Sequence, residues 1–511
     1  MRPRIVLAIA LGGSTLAMAQ PVTPLTQPRP LTLEDCIEMA LKANLELQIE
    51  HLAPVIARDN LRSAAGPYDP TLSFQAGTKY ISQAGDVDPR KENPYLPYSD
   101  GTDTIGAALS GRLPLGLSYE LGGLTEAKSA RTDLLSTGEA SAFPGGIRSS
   151  NTVFAEAGLT VRQHLLKDFW IDSYRETLLF RRKDLKITQE ALCLQIMKTV
   201  LAVELTYYDL LAARAKIAVE EKALELKRQF VAETRRRVEV GDLPPLDAQQ
   251  AESQLQNTLT TLTITRQRLV EQQNALVGLL TDDFRAWEDV ELQPVGALEA
   301  VKEEPSRSKS FQNALKKRPD LKAARLEVEK RAVAVRFQKN QLFPSVDFLG
   351  SYGGNGIEAD SSSALSDAVN LRYHQYSYGV VVSVPLANVA ARNDYKASQA
   401  AREVAELQLK KAEQEVLIQV ANYVSRVQSQ FSQTVSTRQA RVYAESALAA
   451  AQKEWQNGLT TSFVVLEFQE ALMVARNAEV DALAEYNKGV AQLAFAEGTV
   501  LEKRHLTIDV K

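Results

Sequence analysis

Apolar residues recur at intervals of three and four over stretches far longer than a globular domain uses. Between Leu386 and Asn457 there is neither glycine nor proline, and Leu417, Val420, Val424, Val427, Phe431 and Val435 keep that rhythm. The flanking positions are polar, among them Lys410, Lys411, Glu413, Arg426 and Gln430. This is the seam of a helix packed lengthwise on another, and about 70 residues at 1.5 Å each give a rod of about 100 Å. Gly458 stands where a helix end favours glycine, and a second apolar-periodic run from Phe463 to Ala496 turns back, which predicts a long antiparallel helical hairpin. The same object occurs earlier. Ser173 to Val240 lacks glycine and proline, carries Leu194, Met197, Leu201, Leu205, Tyr208, Ala212, Ala215 and Val219 in the same rhythm, and stops at Gly241. Its return helix enters through Pro244 and Pro245 and runs to about Leu280.

The two hairpins align, Gly241 on Gly458, Leu246 on Phe463 and Leu255 on Leu472, so the chain is a duplicated unit. Each copy opens with a shorter helix: Thr32 and Glu34 through Ala40-Leu41-Lys42 to about Ala65, and Ser310 through Ala314-Leu315-Lys316 to about Asn340. The register stays constant, Leu47 on Leu321, Pro70 on Pro344 and Phe74 on Phe348. The organisation read from this is a leader 1–19, a first repeat 20–280 with strands at about 71–163 and a hairpin at about 173–280, a connector 281–309, a second repeat 310–500 with strands at about 345–385 and a hairpin at about 388–497, and a short charged tail 501–511.

After Pro70 and Pro344 the period changes to two. Leu72, Phe74, Ala76, Thr78 and Tyr80 share one face, as do Val346, Phe348, Gly350 and Tyr352, and Tyr376, Tyr378, Val380, Val382 and Val384. Strands of nine or ten residues with one apolar face have the length a tilted strand needs to cross a bilayer, so Phe74, Tyr80, Phe348, Tyr352, Tyr376 and Tyr378 are expected on membrane faces. The return strands are expected at Val153 to Gln163 and Tyr376 to Val384. The first copy holds an extra alternating hairpin about Pro114-Leu115-Gly116, flanked by Gly-, Ser-, Asp- and Pro-rich segments 81–103 and 127–151 that read as long loops. With it a chain supplies six strands; without it, four. Gly353-Gly354-Asn355-Gly356 reads as a loop tip.

Charge is near balance, with a formal net of −4 and a mean hydropathy of −0.20, so no basic footprint for nucleic acid exists. No apolar run outside the first residues is long enough for a spanning helix, so any crossing uses strands. Arg2 and Arg4, the apolar run Ile5 to Leu11 and Ala17-Met18-Ala19 read as an export signal that leaves Gln20 as the mature start. Cys36 and Cys193 occupy non-equivalent places and read as isolated thiols. His51, His164, His374 and His505 are scattered without metal-ligand spacing and read as exposed structural residues; no phosphate loop or nucleophile elbow is present. The expectation is therefore no enzyme, no cofactor and no metal. An exported coiled-coil scaffold without a pore is the alternative reading, and it leaves the repeated strand pairs unexplained.

Taken in order, Leu31-Thr32-Leu33-Glu34 with Ala40-Leu41 and Asn44, Ala314-Leu315 with Arg318-Pro319-Asp320-Leu321, Val240-Gly241 with Pro245-Leu246-Asp247 and Gln250-Ala251-Glu252, and Asn457-Gly458 with Val465-Leu466-Glu467 resemble the TolC-like outer membrane efflux proteins, or outer membrane factors. That resemblance implies an α + membrane β fold: a homotrimer in the Gram-negative outer membrane, with a transmembrane β-barrel and a periplasmic barrel of long helical hairpins. It implies a passive exit duct of a tripartite efflux or type I secretion system, joined by a periplasmic adaptor to an inner-membrane pump. In such proteins acidic residues six and nine positions after the turn glycine line the narrow periplasmic end, and here Asp247 and Glu467 hold such positions. Gln250 and Val464 are not acidic, and Thr460 stands where some members carry a basic latch. The turn residues Gly241, Asp242, Pro245, Leu246, Gly458, Leu459 and Thr460 become the expected adaptor contact. Arg235-Arg236-Arg237, one turn before Gly241, favour a helix C-terminus and are a second candidate contact. Independently, four to six strands cannot close a barrel alone, which argues for several copies.

Overall fold

The computed structural model describes residues 6–7, 29–84, 98–134, 146–287 and 290–508. The expected cleavage site at Ala17 to Ala19 and the tips of both long loops lie outside the described residues. In chain order the main elements are α1 (Leu33–Ala43), α2 (Leu45–Ser63), β1 (Thr71–Gln83), β2 (Tyr98–Leu113), β3 (Leu117–Leu134), β4 (Gly146–His164), α3 (Ser173–Glu239) and α4 (Pro245–Leu280). They continue as α5 (Arg307–Lys317), α6 (Pro319–Asn340), β5 (Ser345–Glu358), α7 (Ser361–Val369), β6 (Tyr373–Ser383), α8 (Val389–Gln456) and α9 (Ser462–Glu497). The paired helices match in length: α3 has 67 residues and α8 has 68, while α4 and α9 have 36 each. Two compact units result, one from residues 1–56, 185–326 and 406–511, the other from 57–184 and 327–405, so each draws on both halves of the chain.

In the first unit the helix expected from Thr32 to Ala65 is two. Asn44 adopts an extended conformation, and its side-chain oxygen accepts the Leu47 N–H at 3.0 Å, capping α2 while α1 ends. Arg318, the equivalent residue, is extended because it precedes Pro319, and it divides α5 from α6. On α3 the predicted Met197 and Ala212 are buried, but the buried face is shifted by about one residue between them: Ile196, Val200, Val203, Tyr207 and Leu210 are buried, whereas Leu201, Leu205 and Tyr208 are half-buried. The shift arises because α3 is packed on more than one side, against α1, α4 and the segment about Leu292. Likewise on α8 Val416, Val420, Val424 and Val427 are buried against Ala314, Leu321, Tyr486 and Leu493, while Val435 is exposed. The segment between the repeats is pinned by tyrosines: the Tyr207 hydroxyl donates to Val295 O at 2.8 Å, and the Tyr486 hydroxyl donates to Val301 O and accepts the Glu303 N–H at 3.1 Å.

Between α3 and α9 runs a polar seam. Asp209 pairs with Lys488 at 2.8 Å, Lys216 with Asp481 at 2.6 Å, Glu220 with Asn477 at 2.9 Å and Lys227 with Glu470 at 3.1 Å. Steps of seven, four and seven residues forward on α3 are matched by the same steps backward on α9, the register of an antiparallel coiled-coil contact.

The second unit is built on a six-stranded antiparallel sheet in the order β1-β2-β3-β4-β5-β6, so the extra hairpin β2–β3 belongs to it. Its strands have 13, 16, 18, 19, 14 and 11 residues, longer than the nine or ten expected, because pairing continues into the segments read as loops. Leu72, Leu109, Leu121, Leu159, Tyr352 and Tyr376 lie side by side across the sheet on one face; Ser73, Ala108, Gly122, Gly158, Gly353 and Gln375 do so on the other. The apolar face extends from the Val346–Val382 pair to the row of Ala76, Ile105, Thr125, Ala155 and Gly356, in which Thr125 is the one polar residue. Beyond it the face turns polar, where the Thr78 hydroxyl donates to Asp103 at 2.8 Å. Gly353-Gly354-Asn355-Gly356 is not a loop tip but part of β5, and α7 lies against it. The edge strands β1 and β6 are exposed along their whole length.

Candidate functional site

Both hairpin turns close by the same device. Gly241 has φ 82°, its N–H bonds to Val238 O at 3.0 Å, and the Asp242 N–H reaches back to Arg237 O at 2.8 Å. Gly458 has φ 74°, with Gly458 N–H to Trp455 O at 3.1 Å and Leu459 N–H to Glu454 O at 2.8 Å. These paired bonds satisfy the last carbonyls of each long helix and require a residue free to adopt left-handed geometry, which is why glycine marks both ends. The return helices begin at Pro245 and Ser462, preceded by extended Pro244 and Thr461.

Phe230, Val231, Ala251, Leu448, Trp455, Val465, Leu466 and Leu472 form one buried cluster that binds the two hairpins together near their turns. The arginine run is divided by it. The Arg237 guanidinium lies 4.2 Å from the Trp455 ring centroid and donates to Trp455 O at 3.3 Å, while Arg235 pairs with Glu252 at 2.7 Å. Arg237 is thus a structural residue, and Arg236 remains exposed.

Asp247 is half-buried in the first turn of α4, and Glu467 is exposed on α9 immediately after the buried Leu466. Neither carboxylate makes a hydrogen bond or ion pair among the described residues, and none joins one to the other. The Asp247 side chain makes no capping bond, although its place in the first turn suits the helix dipole. Around the turns Val240, Leu246, Leu459 and Phe463 are exposed apolar side chains.

Phe74, Tyr80, Phe348, Tyr352, Tyr376 and Tyr378 share one face of the sheet by register and all are exposed, but Tyr80 lies two rows beyond the end of its apolar band. The opposite face carries charges that sequence reasoning passed over. Arg112 and Arg162 occupy one row near the helix-bearing end, Glu120 the next, Glu156 and Glu126 rows further out, and Lys79 and Lys128 beyond them. Their signal was present as the polar positions alternating with the apolar ones. His164, expected to be exposed, is half-buried and lies 2.6 Å from Asp347, which Arg162 also contacts at 2.6 Å. A carboxylate as buried as Asp347 needs partners of this kind. Among the described residues no group of His, Cys, Asp and Glu could hold a metal ion, and no helix is long and apolar enough to cross a membrane.

The fold is that of the outer-membrane channels. It matches the outer-membrane channel OprN with 16% identity and a TM-score of 0.66 over 91% of this chain and 90% of that one. The Campylobacter jejuni CmeC outer membrane channel matches at 14% and 0.64 over 93% and 90%, and the Vibrio cholerae outer membrane protein VceC at 18% and 0.63 over 91% and 96%. Residues 311–499, most of the second repeat, match the family model for outer membrane efflux proteins, the family that the sequence motifs resemble. No curated protein matches the chain by sequence.

Proposed function

We propose that the chain is one subunit of a homotrimeric exit duct in the Gram-negative outer membrane, reaching into the periplasm and serving an inner-membrane pump through a periplasmic adaptor. The observation that carries this reading is the six-stranded sheet with one apolar face and two fully exposed edges, β1 and β6. Backbone groups left unpaired in lipid cost several kcal/mol each, so such a sheet crosses a bilayer only if its edges meet those of further copies. Three copies, the assembly of the resembling family, would close eighteen strands. The apolar band runs from Val346 to Gly356 along β5, ten steps or about 33 Å, and a tilt of about 40° reduces that to about 25 Å, the height of the lipid-facing band of such barrels. The charged face then lines the bore.

The helical unit supplies the gate. Threefold symmetry turns Asp247 and Glu467 into six carboxylates around one constriction, and acidic rings confer cation preference on a pore. The exposed Val240, Leu246, Leu459 and Phe463 at the turns supply the surface that an adaptor would cover. The duct has no energy source of its own, and ATP hydrolysis by the purified chain would overturn that part of the reading. In planar bilayers Asp247→Asn with Glu467→Gln should lower cation selectivity and weaken block by multivalent cations. A double mutant that conducts and blocks as the parent does would leave Asp247 only its role at the helix terminus, and a protein that inserts as a monomer would defeat the duct itself.

A further inference from the structure

The apolar face of the sheet is interrupted in one place. On β3, β4 and β5 the rows beyond Leu121, Leu159 and Tyr352 hold Gly123, Ala157 and Gly354, then Thr125, Ala155 and Gly356, then Ala127, Val153 and Glu358. The missing side-chain volume is filled by α7. Ala364 and Ala368 of this helix are completely buried against Val153 and Ala155, and a methyl group added at Gly354 or Gly356 would collide with the carbonyls of Ala368 or Ala364. Register decides which face this is. The residues beneath α7 alternate in phase with Leu159 and Tyr352, not with Gly158 and Gly353, so α7 lies on the apolar face and does not cover the charged one.

The helix presents an apolar surface in turn. Leu365 and Val369, one turn apart, are 42% and 61% exposed, and Leu371 follows at 38%. Leu371 has φ 55°, and its N–H and that of Arg372 close the helix end on Ala368 O and Asp367 O. Glycine is the residue that takes this geometry without strain, yet a leucine is kept here, which places a third apolar side chain beside the other two. Polar groups share the exposed surface with them: the Asn370 amide donates to Ser366 Oγ at 3.1 Å, Asp360 accepts the N–H groups of Ser362 and Ser363, and Arg372 pairs with Asp367.

We propose that α7 is a lipid-contacting helix outside the barrel, with Leu365, Val369 and Leu371 among the acyl chains of the outer leaflet and Asp360 and Arg372 at its polar boundary. The proposal rests on the reading of the sheet as a membrane barrel. The occupant is lipid because α7 lies, by register, on the same face of the sheet as the exposed Phe74, Ile105 and Tyr376, which that reading places in the bilayer. An aqueous loop helix would need neither a glycine cradle on that face nor a strained leucine.

The test uses the full chain reconstituted in phospholipid vesicles, with Cys36→Ala and Cys193→Ala as background and nitroxide labels at Leu365→Cys, Val369→Cys and Tyr378→Cys. Oxygen, which partitions into lipid, should relax all three labels more strongly than a water-soluble nickel chelate does. If Tyr378→Cys reports lipid while the α7 labels respond to the chelate, the inference falls and the barrel stands. If the α7 labels are shielded from both relaxers, a neighbouring subunit covers the helix and the inference also falls. If Tyr378→Cys itself responds to the chelate, the membrane reading fails first. Gly354→Val should free the α7 labels and leave the Tyr378 label unchanged; unaltered α7 labels would overturn the cradle. Should that variant not assemble, the unmodified sheet still gives the accessibility result.

Discussion

Within the polar seam of α3 and α9, Lys227 and Glu470 face each other at 3.1 Å in unequal surroundings: the lysine side chain is 3% exposed and the glutamate 49%. Removing one partner therefore differs from removing the other. Glu470→Gln leaves a buried ammonium without its counter-charge, and breaking a buried pair in this manner costs about 3 kcal/mol, the low end of the range because Glu470 is itself partly screened by water. Lys227→Met keeps the length of the side chain and leaves a carboxylate that water can reach, so its cost should stay within about 1 kcal/mol. Lys227→Met combined with Glu470→Gln should then be no worse than Lys227→Met alone, giving a large coupling energy in a double-mutant cycle. Urea unfolding followed by the fluorescence of Trp455, which lies in the same unit, reads the three variants against the parent. An Glu470→Gln protein as stable as Lys227→Met would refute the reasoning, since it would mean that the lysine is not held away from water.

Burial pushes the Glu176 carboxyl at the start of α3 up to about 7, above its ordinary 4.5. Between those two values the folded chain binds more protons than the unfolded one, so stability should fall as pH rises from about 4.5 to about 7, and Glu176→Gln should flatten that part of the profile; an unchanged profile of unfolding midpoint against pH would count against it. Gly241→Ala should destabilise its turn by about 1 kcal/mol through the left-handed backbone alone, because no atom lies within 4 Å of the added methyl. Gly278, in the last turn of α4, equally open and without left-handed geometry, should give the opposite sign with alanine, a gain of less than about 1 kcal/mol; hydrogen exchange of the flanking amides measures both, and equal signs would reject the argument.

Long periodicity made the helices legible: their ends at Gly241 and Gly458 are written in a residue type that the backbone geometry demands. The strands were legible by face and less so by length. Alternation in the Ser- and Gly-rich segments carries no apolar signal, yet Ser82 pairs with Ser99, and Ser99 with Arg131, as part of one ladder. Gly353 to Gly356 misled because glycine marks both a loop tip and a close approach, and only the position of α7 distinguishes them. The turn carboxylates are singled out by the family resemblance alone, whereas the seam from Asp209 to Lys227 has no such signal, since each charge alone reads as a solvated helix face and only the partner helix gives it meaning. Asn44 escaped as a helix break because an Asn within a periodic run ends a helix only when its side chain finds the next turn's N–H, as it does with Leu47.

The joint between β4 and β5 pairs His164 with Asp347, so the centre of the sheet unites strands separated by α3, α4, α5 and α6. Sheet closure must therefore wait until most of the chain has been delivered, and a contact of such sequence separation is intrinsically slow to form. Through that interval β4 lacks the strand that pairs with it in the finished sheet, and an unpaired strand edge is a template for mispairing. The order of elements along the chain thus makes biogenesis, more than the finished architecture, the stage at which this protein depends on being held apart from its own copies.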